Sequence, residues 1–284
     1  MQYRINFHRL FKQQTKILKI LFYLLEIFRV NCHQSTTGVF KFWLLGILTI
    51  LITTLVLKYK KTFPKFITFY SSDKPFTIIV EGNVGCGKTT FLNNFQRNSN
   101  FLTLYEPIEE WKNVKGIDLM NLFYNDLKTW SFSFQTYVFL TMMKIHEKKT
   151  NKPFKIMERS IYSGRYVFIE NLYKLNLITQ PELAVLDEWF QWLVSTNCAK
   201  VDLIVYLRTN PEVAYERILK RGRAGETLPF EYVTKIHELY ENWLIKKKNN
   251  SFCHAPVWCI DANQDLQTIK NDFDYFEYQA MQHI

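Results

Sequence analysis

The chain has 284 residues, enough for one large α/β domain and an appendage, and a formal net charge of +10 at pH 7. Residues 1–75 hold 12 Lys/Arg against 2 Asp/Glu, so they carry the whole excess; residues 76–284 hold 24 of each and are neutral. A neutral body excludes a broad nucleic-acid-binding face, and five scattered cysteines with no CxxC pair exclude a secreted disulfide framework. Cys253 and Cys259 lie near enough in sequence to meet across a turn, but unpaired thiols are the expectation.

The N-terminal segment contains two apolar stretches. Ile17 to Val30 is flanked and interrupted by Lys16, Lys19 and Arg29, and the first 41 residues have seven basic residues with Glu26 as their one acid. Residues 42–57 carry no charge and are bracketed by Lys41 and by Lys58, Lys60 and Lys61. As a helix this run spans about 24 Å, slightly short of a bilayer core, a gap that Tyr59 and snorkelling lysines can close. Three readings fit: a membrane anchor through 42–57, an organelle-targeting presequence, or a buried core helix. The first two are compatible, and acid-poor basic sequence favours a mitochondrial address with membrane attachment over a cytoplasmic one. Ser71 to Pro75 reads as the linker into a second domain, 76–284.

That domain opens with an apolar strand, Phe76 to Val80, followed by Glu81 and Gly82-Asn83-Val84-Gly85-Cys86-Gly87-Lys88-Thr89-Thr90. This is the GxxxxGK[ST] pattern of a P-loop between strand and helix. Glycines let successive N–H groups turn inward toward phosphate oxygens, and the following helix adds its positive end. Lys88 suits terminal phosphates as a point charge, and Thr89 offers a hydroxyl to Mg²⁺. The next strand, 101–105, ends at Glu106-Pro107, which places a carboxylate at a strand's carboxyl edge, where open α/β sheets bind ligands.

Helices are predicted over 117–130 and 132–147, then a strand over 154–157 ending in Glu158-Arg159-Ser160. Helical patterns follow at 161–174 and 181–197, a strand at 201–207, helices at 211–221 and 230–248, a strand at 257–260 and a last helix at 264–282. Strands alternating with helices predict an α/β fold: a five-stranded parallel sheet with helices on both faces, preceded by a hydrophobic helical appendage. There is no Asn-Lys-x-Asp tetrapeptide, and strand 201–207 runs into Arg-Thr-Asn-Pro rather than a DxxG switch, so the guanine-nucleotide switches are not favoured.

Six segments, in order, carry a resemblance: Glu81 to Thr90; Glu106-Pro-Ile-Glu-Glu-Trp111; Trp130 through Gln135-Thr-Tyr137; Met157-Glu-Arg-Ser-Ile-Tyr-Ser-Gly-Arg-Tyr166; Val201 to Glu212; and His237-Glu-Leu-Tyr-Glu-Asn-Trp-Leu244. With these the chain resembles the deoxyribonucleoside kinases, in particular their thymidine kinase 2 and insect deoxynucleoside kinase branch. The resemblance implies the P-loop kinase fold, a homodimer, ATP with Mg²⁺, and phosphorylation of a nucleoside's 5′-hydroxyl in deoxynucleotide salvage. Thymidine and deoxycytidine are the implied preference, with broad specificity left open.

Residue roles follow from it. Glu106 is the implied general base, with Arg159 beside it and Lys88 on the phosphates. ATP is expected at residues 82–90 with Arg221 and Arg223 of a lid, and the metal at Thr89 and Glu158. Trp111 and Phe168 match the walls that sandwich the base, with Phe134, Val138, Met142 and Gly164 around it. Gln135 is the reader: its amide complements thymine in one orientation and cytosine in the other. Tyr124 and Glu226 match the pair that grips the sugar 3′-hydroxyl; taken alone, they read as a helix-face aromatic and a solvated loop acid. Gly164 departs from the Ala or Asp usual in relatives, which leaves room in the pocket. The lid, 221–229, looks one residue short of its insect counterpart and has Gly225 where an acid is common, and Cys86 replaces the usual Ser or Ala. The competing readings are a thymidylate-type nucleoside monophosphate kinase and a membrane-tethered nucleotide-binding module without turnover.

Overall fold

A computed structural model describes residues 75–195, 199–222, 228–246 and 253–281. The expected appendage, its apolar run 42–57, and the lid residues Arg223 and Glu226 lie outside the described residues.

Five strands form one parallel sheet in the order β2-β3-β1-β4-β5: β1 Phe76–Glu81, β2 Phe101–Leu104, β3 Phe154–Glu158, β4 Leu203–Arg208 and β5 Val257–Asp261. Each strand was legible as an apolar run, because strands covered on both sides have no polar face to alternate with. The chain steps out from β1 to β2, returns to place β3 beside β1, then crosses to β4 on the other side. The order therefore reverses at β1, and the crevice at such a reversal is where ligands bind in open α/β sheets.

The two sets of side chains along the strands meet different partners. Ile79, Met157 and Ile204 are in register across three strands and join a core with α4, Leu127–Glu147, and α6, Gln180–Ser195. The opposite side carries an aromatic cluster. Phe91 and Phe95 of α1, Lys88–Phe95, pack against Phe273 and Phe276 of α9, Leu266–Met281, with ring centroids 4.7–5.7 Å apart.

Two helix boundaries differ from expectation. The break predicted near Ser131 falls at Asp126, between α3, Leu119–Asn125, and α4. Asp126 is the better punctuation: its carboxylate caps α4 by accepting from the Thr129 N–H at 3.1 Å, while the Ser131 hydroxyl donates to the Leu127 carbonyl at 2.6 Å and stays in the helix. Pro107 ends the approach from β2, as expected, but it is also the N-cap of a short helix, α2 Ile108–Lys112, that the sequence reading missed. Helix α5 is built from Ile161–Ser163, a π-helical stretch Gly164–Ile169, and Glu170–Lys174. Helix α7, Pro211–Arg221, begins on proline and ends on Gly222 in the left-handed region, the asymmetry its sequence shows. Helix α8, Phe230–Tyr240, continues as a π-helical turn, Glu241–Ile245. Among the described residues, Cys86, Cys253 and Cys259 form no disulfide, as expected.

Candidate active site

The phosphate loop hangs between β1 and α1. Gly82, Gly85 and Gly87 have φ of 148°, 79° and 97°, a region that L side chains rarely adopt. Close packing adds a second constraint at Gly85, where a Cβ would sit 2.4 Å from the Ala214 carbonyl oxygen of α7. Asn83 clamps the loop from inside: its amide donates to the Val233 carbonyl at 2.8 Å, and its oxygen accepts from the Val84 N–H at 2.8 Å. The N-terminus of α1 has no side-chain cap, so its first N–H groups remain available to an anion. Lys88 is buried and donates to the carbonyls of Gly82 and Asn83 at 3.2 and 2.9 Å. Cys86 is buried within the loop, whereas Thr89 and Thr90 are exposed.

The parallel register brings three strand ends to this loop. Val80 lies opposite Glu158, and Leu104 opposite Met157, so the residues following β2 and β3 emerge side by side. Arg159 and Glu106 meet there as an ion pair, Nε to Oε1 at 3.1 Å, with the Glu106 side chain 18% exposed. The Thr89 hydroxyl bonds the Glu158 carboxylate at 3.1 Å. These hard oxygen donors, beside Lys88, suit Mg²⁺, which prefers one or two carboxylates plus phosphate and water. Thr89 and Glu158 are therefore in contact, and so are Glu106 and Arg159.

The Arg159 backbone has φ of 60°, a conformation costing on the order of 1–3 kcal/mol in a non-glycine residue. It is held by several contacts: its N–H donates to the Val80 carbonyl at 3.0 Å, Nη1 donates to Tyr240 Oη at 2.8 Å and to the Gly82 carbonyl at 3.3 Å, and its guanidinium lies 4.6 Å from the Phe168 ring centroid. Phe168 therefore supports the arginine, in addition to any role as a wall. Burial works against the Arg159 charge, but Tyr240, Glu106, Glu81 and Glu158 outweigh it and hold the group cationic. Burial raises the Glu158 carboxyl above its ordinary value, opposed by Lys88 and reinforced by Glu106.

The expected base pocket lines α4. Trp111, carried in by α2, is buried with its indole N–H donating to the Thr141 hydroxyl at 2.9 Å and its ring edge-on to Phe134 at 5.6 Å. Phe134 stacks on Phe123 at 4.5 Å. Val138 and Met142 are buried on the same helix. Gln135 is 4% exposed, and its Oε1 has no hydrogen-bond partner among the described residues. A buried amide oxygen left without a partner is costly, and a polar ligand removes that cost. Gly164 is buried at the start of the π-helical stretch, where a Cβ would be 3.1 Å from Phe139 Cε1. Tyr124, half-buried, sits beside Phe123 with centroids 5.3 Å apart, and Arg221 is exposed at the end of α7.

Two residues near this centre received no role from the sequence. Glu81 ends β1, fully buried, and Tyr240 ends α8, also fully buried. Burial pushes the Glu81 carboxyl up to about 7, against the opposing pull of Ser160, Arg159, Ser163 and Tyr240. The available signal was a carboxylate terminating an otherwise apolar strand directly before the phosphate loop; nothing in the sequence linked it to Tyr240.

Residues 78–284 match the deoxynucleoside kinase family. Over 203 residues the chain is 42% identical to thymidine kinase 2, mitochondrial, of Homo sapiens, covering 71% of this chain and 76% of that protein. It is 33% identical over 219 residues to deoxyguanosine kinase, mitochondrial, of Xenopus laevis, covering 66% of this chain and 82% of that one. With deoxycytidine kinase of Homo sapiens it shares 30% identity over 238 residues, covering 73% and 92%. A family match over most of the chain agrees with the parallel sheet and phosphate loop found here: this chain belongs to the deoxynucleoside kinase family.

Proposed function

We propose that this kinase transfers the γ-phosphoryl group of ATP to the 5′-hydroxyl of a pyrimidine deoxyribonucleoside, thymidine or deoxycytidine. One observation carries the substrate class: a buried glutamine amide, on α4 with Phe134, Val138 and Met142, whose oxygen has no partner among the described residues. A glutamine amide offers both a donor and an acceptor, so it meets either pyrimidine edge.

The division of labour follows from the side chains. Glu106 takes the proton of the attacking hydroxyl, and Arg159 orients Glu106 and faces the developing charge. The N–H groups of residues 82–90 and the start of α1 hold the donor's phosphates, with Lys88 turning from the loop carbonyls to them. Thr89 and Glu158 would hold Mg²⁺, which when bound neutralises charge on the phosphate oxygens. Trp111, Phe134, Val138, Met142 and Phe168 supply apolar and aromatic surface for the base, and Gln135 its choice. Tyr124 and Glu226 take the 3′-hydroxyl, and Arg221 and Arg223 close over the phosphates. A thymidylate-type kinase and a module without turnover are not favoured, since the relatives above are all named as nucleoside kinases. Assaying residues 70–284 with ATP and each deoxynucleoside tests the reading. Pyrimidine turnover is expected; turnover only with a nucleoside monophosphate would refute it.

Gly164 sets the room around the base. Gly164→Asp adds a Cβ against Phe139 and a carboxylate that competes for Gln135 and Arg159, and thymidine with its 5-methyl group has least space to lose. Thymidine kcat/KM should fall about 10-fold or more, and further than that for deoxycytidine. A gain of thymidine relative to deoxycytidine would show that the pocket is built differently.

A homodimer is proposed on an apolar face. Val185, Trp189 and Trp192 of α6 are 46%, 50% and 60% exposed, at spacings that share one side of the helix, and α6 packs on α4, where Leu140 is also exposed. Introducing Trp189→Glu together with Trp192→Glu should halve the mass measured by light scattering. A monomeric unaltered protein would contradict the proposal.

The two-part organisation, 1–75 for address and 76–284 for catalysis, is likewise proposed. Its support is the segregated charge and the relatives whose names include "mitochondrial". Among the described residues no helix is long and apolar enough to cross a membrane, and the proposed anchor, 42–57, lies outside them. On fractionation, a shortened carbonate-soluble mitochondrial form indicates a cleaved presequence, and a full-length carbonate-resistant form an anchor. Full-length soluble cytosolic protein would refute both.

A further inference from the structure

We propose that Glu81 and Tyr240 are positioning residues for the transfer step: Glu81, acting through the Tyr240 hydroxyl, aims the Arg159 guanidinium at Glu106. The inference rests on the reading of Glu106 and Arg159 as the acceptor end of the site.

Hydrogen-bond direction carries the argument. A guanidinium only donates, so Tyr240 Oη, 2.8 Å from Arg159 Nη1, must accept there. The phenol has one proton, which is left for Glu81 Oε2 at 3.0 Å. The other Glu81 oxygen is 2.6 Å from Ser160 Oγ, and that hydroxyl already accepts from the Ser163 N–H at 3.3 Å, so its proton is free for Glu81. All protons in the chain therefore point one way, from Arg159 through Tyr240 to Glu81 and from Ser160 to Glu81. When ionised, the Glu81 carboxylate is the terminal acceptor that fixes the direction. Remove it, and the Tyr240 proton loses the partner that turns its lone pair toward Arg159.

The chain also ties the two ends of the site together. Arg159 Nη1 and Lys88 Nζ both donate to the Gly82 carbonyl, at 3.3 and 3.2 Å. The arginine that faces the acceptor and the lysine that faces the donor thus share one anchor in the phosphate loop. The left-handed backbone of Arg159 makes outside support necessary. The Tyr240 ring, in contrast, is held independently of Glu81: it stacks on Tyr206 at 5.8 Å and packs near Trp243 at 6.1 Å. Losing the hydroxyl alone should therefore leave the fold intact and disturb only the aim of Arg159.

The test uses the full chain carrying Tyr240→Phe, Glu81→Gln, both together, and Glu106→Gln, measured for kcat, for KM of ATP and thymidine, and for Tm. Tyr240→Phe and Glu81→Gln should each lower kcat about 10-fold or more with both KM values within about twofold, and the double variant should be no worse than the more damaged single one. A purely structural role would instead lower Tm and the active fraction while sparing kcat per folded site. A folded Tyr240→Phe with kcat within twofold of the unaltered protein overturns the proposal. So does failure of Tyr240→Phe to fold, since the stacked ring is argued to suffice. If Glu106→Gln is also fully active, the reading of the acceptor end fails; if it alone is inactive, only the positioning role does.

Discussion

Glu106→Gln is expected to leave thymidine binding within a few-fold of normal and to lower kcat by about 10²-fold or more. The change keeps the side chain's size and its place 3.1 Å from Arg159 Nε, but an amide cannot take up the hydroxyl proton. Loss in kcat without loss in binding is the signature of a group that acts in the transition state. Equilibrium binding of thymidine together with steady-state kinetics measures both quantities. Near-normal kcat would remove Glu106 from the mechanism and turn attention to Glu158, whose carboxylate is bonded to Thr89.

Gly85→Ala should have the largest effect on the donor side. A left-handed backbone costs an alanine about 1–2 kcal/mol, and forcing a methyl against packed atoms adds about 1–3 kcal/mol. The obstacle is main chain, the Ala214 carbonyl oxygen at 2.4 Å in the first turn of α7, with Ile218 Cγ1 at 3.0 Å behind it. Neither can swing aside as a long side chain would, so the loop itself must move and its N–H groups lose their aim. The KM for ATP should rise by about 10-fold or more, and Tm should fall by several degrees. Gly87→Ala is the control: its φ is 97°, but no atom lies within 4 Å of the added Cβ, so it meets only the backbone cost. Equal ATP affinity in the two variants would mean that the approach of α7 does not shape the loop.

Much of this site is legible because its parts are contiguous. Residues 82–90 are consecutive, so glycine spacing, lysine and threonine mark the loop. The strands are legible as apolar runs, and α7 is marked by Pro211 and Gly222 at its ends. The helix break expected at 131 falls at Asp126, because the aspartate side chain caps α4 while the Ser131 hydroxyl is satisfied within the helix, which only the hydrogen bonds show. Helix α2 was missed because Pro107 signals both an end and a beginning, and five residues are too few to show a period.

By itself, the sequence determined the glycine-rich loop between β1 and α1, the parallel α/β class and, through its resemblance, the family, all of which rest on local patterns. Tertiary structure decided which groups face one another. Glu106 follows β2 and Arg159 follows β3, and they meet because those strands are hydrogen-bonded in parallel register, Leu104 opposite Met157. Glu81 and Tyr240 are separated by 159 positions, and their bond exists because α8 packs where β1 ends. It also decided that Gln135, which a helix could equally have presented to solvent, is buried with an oxygen unpartnered among the described residues. The physical reason is that backbone preference and hydrophobic period act over a few residues, whereas the direction of a proton, the burial of a charge and the room beside a glycine depend on atoms brought from distant parts of the chain.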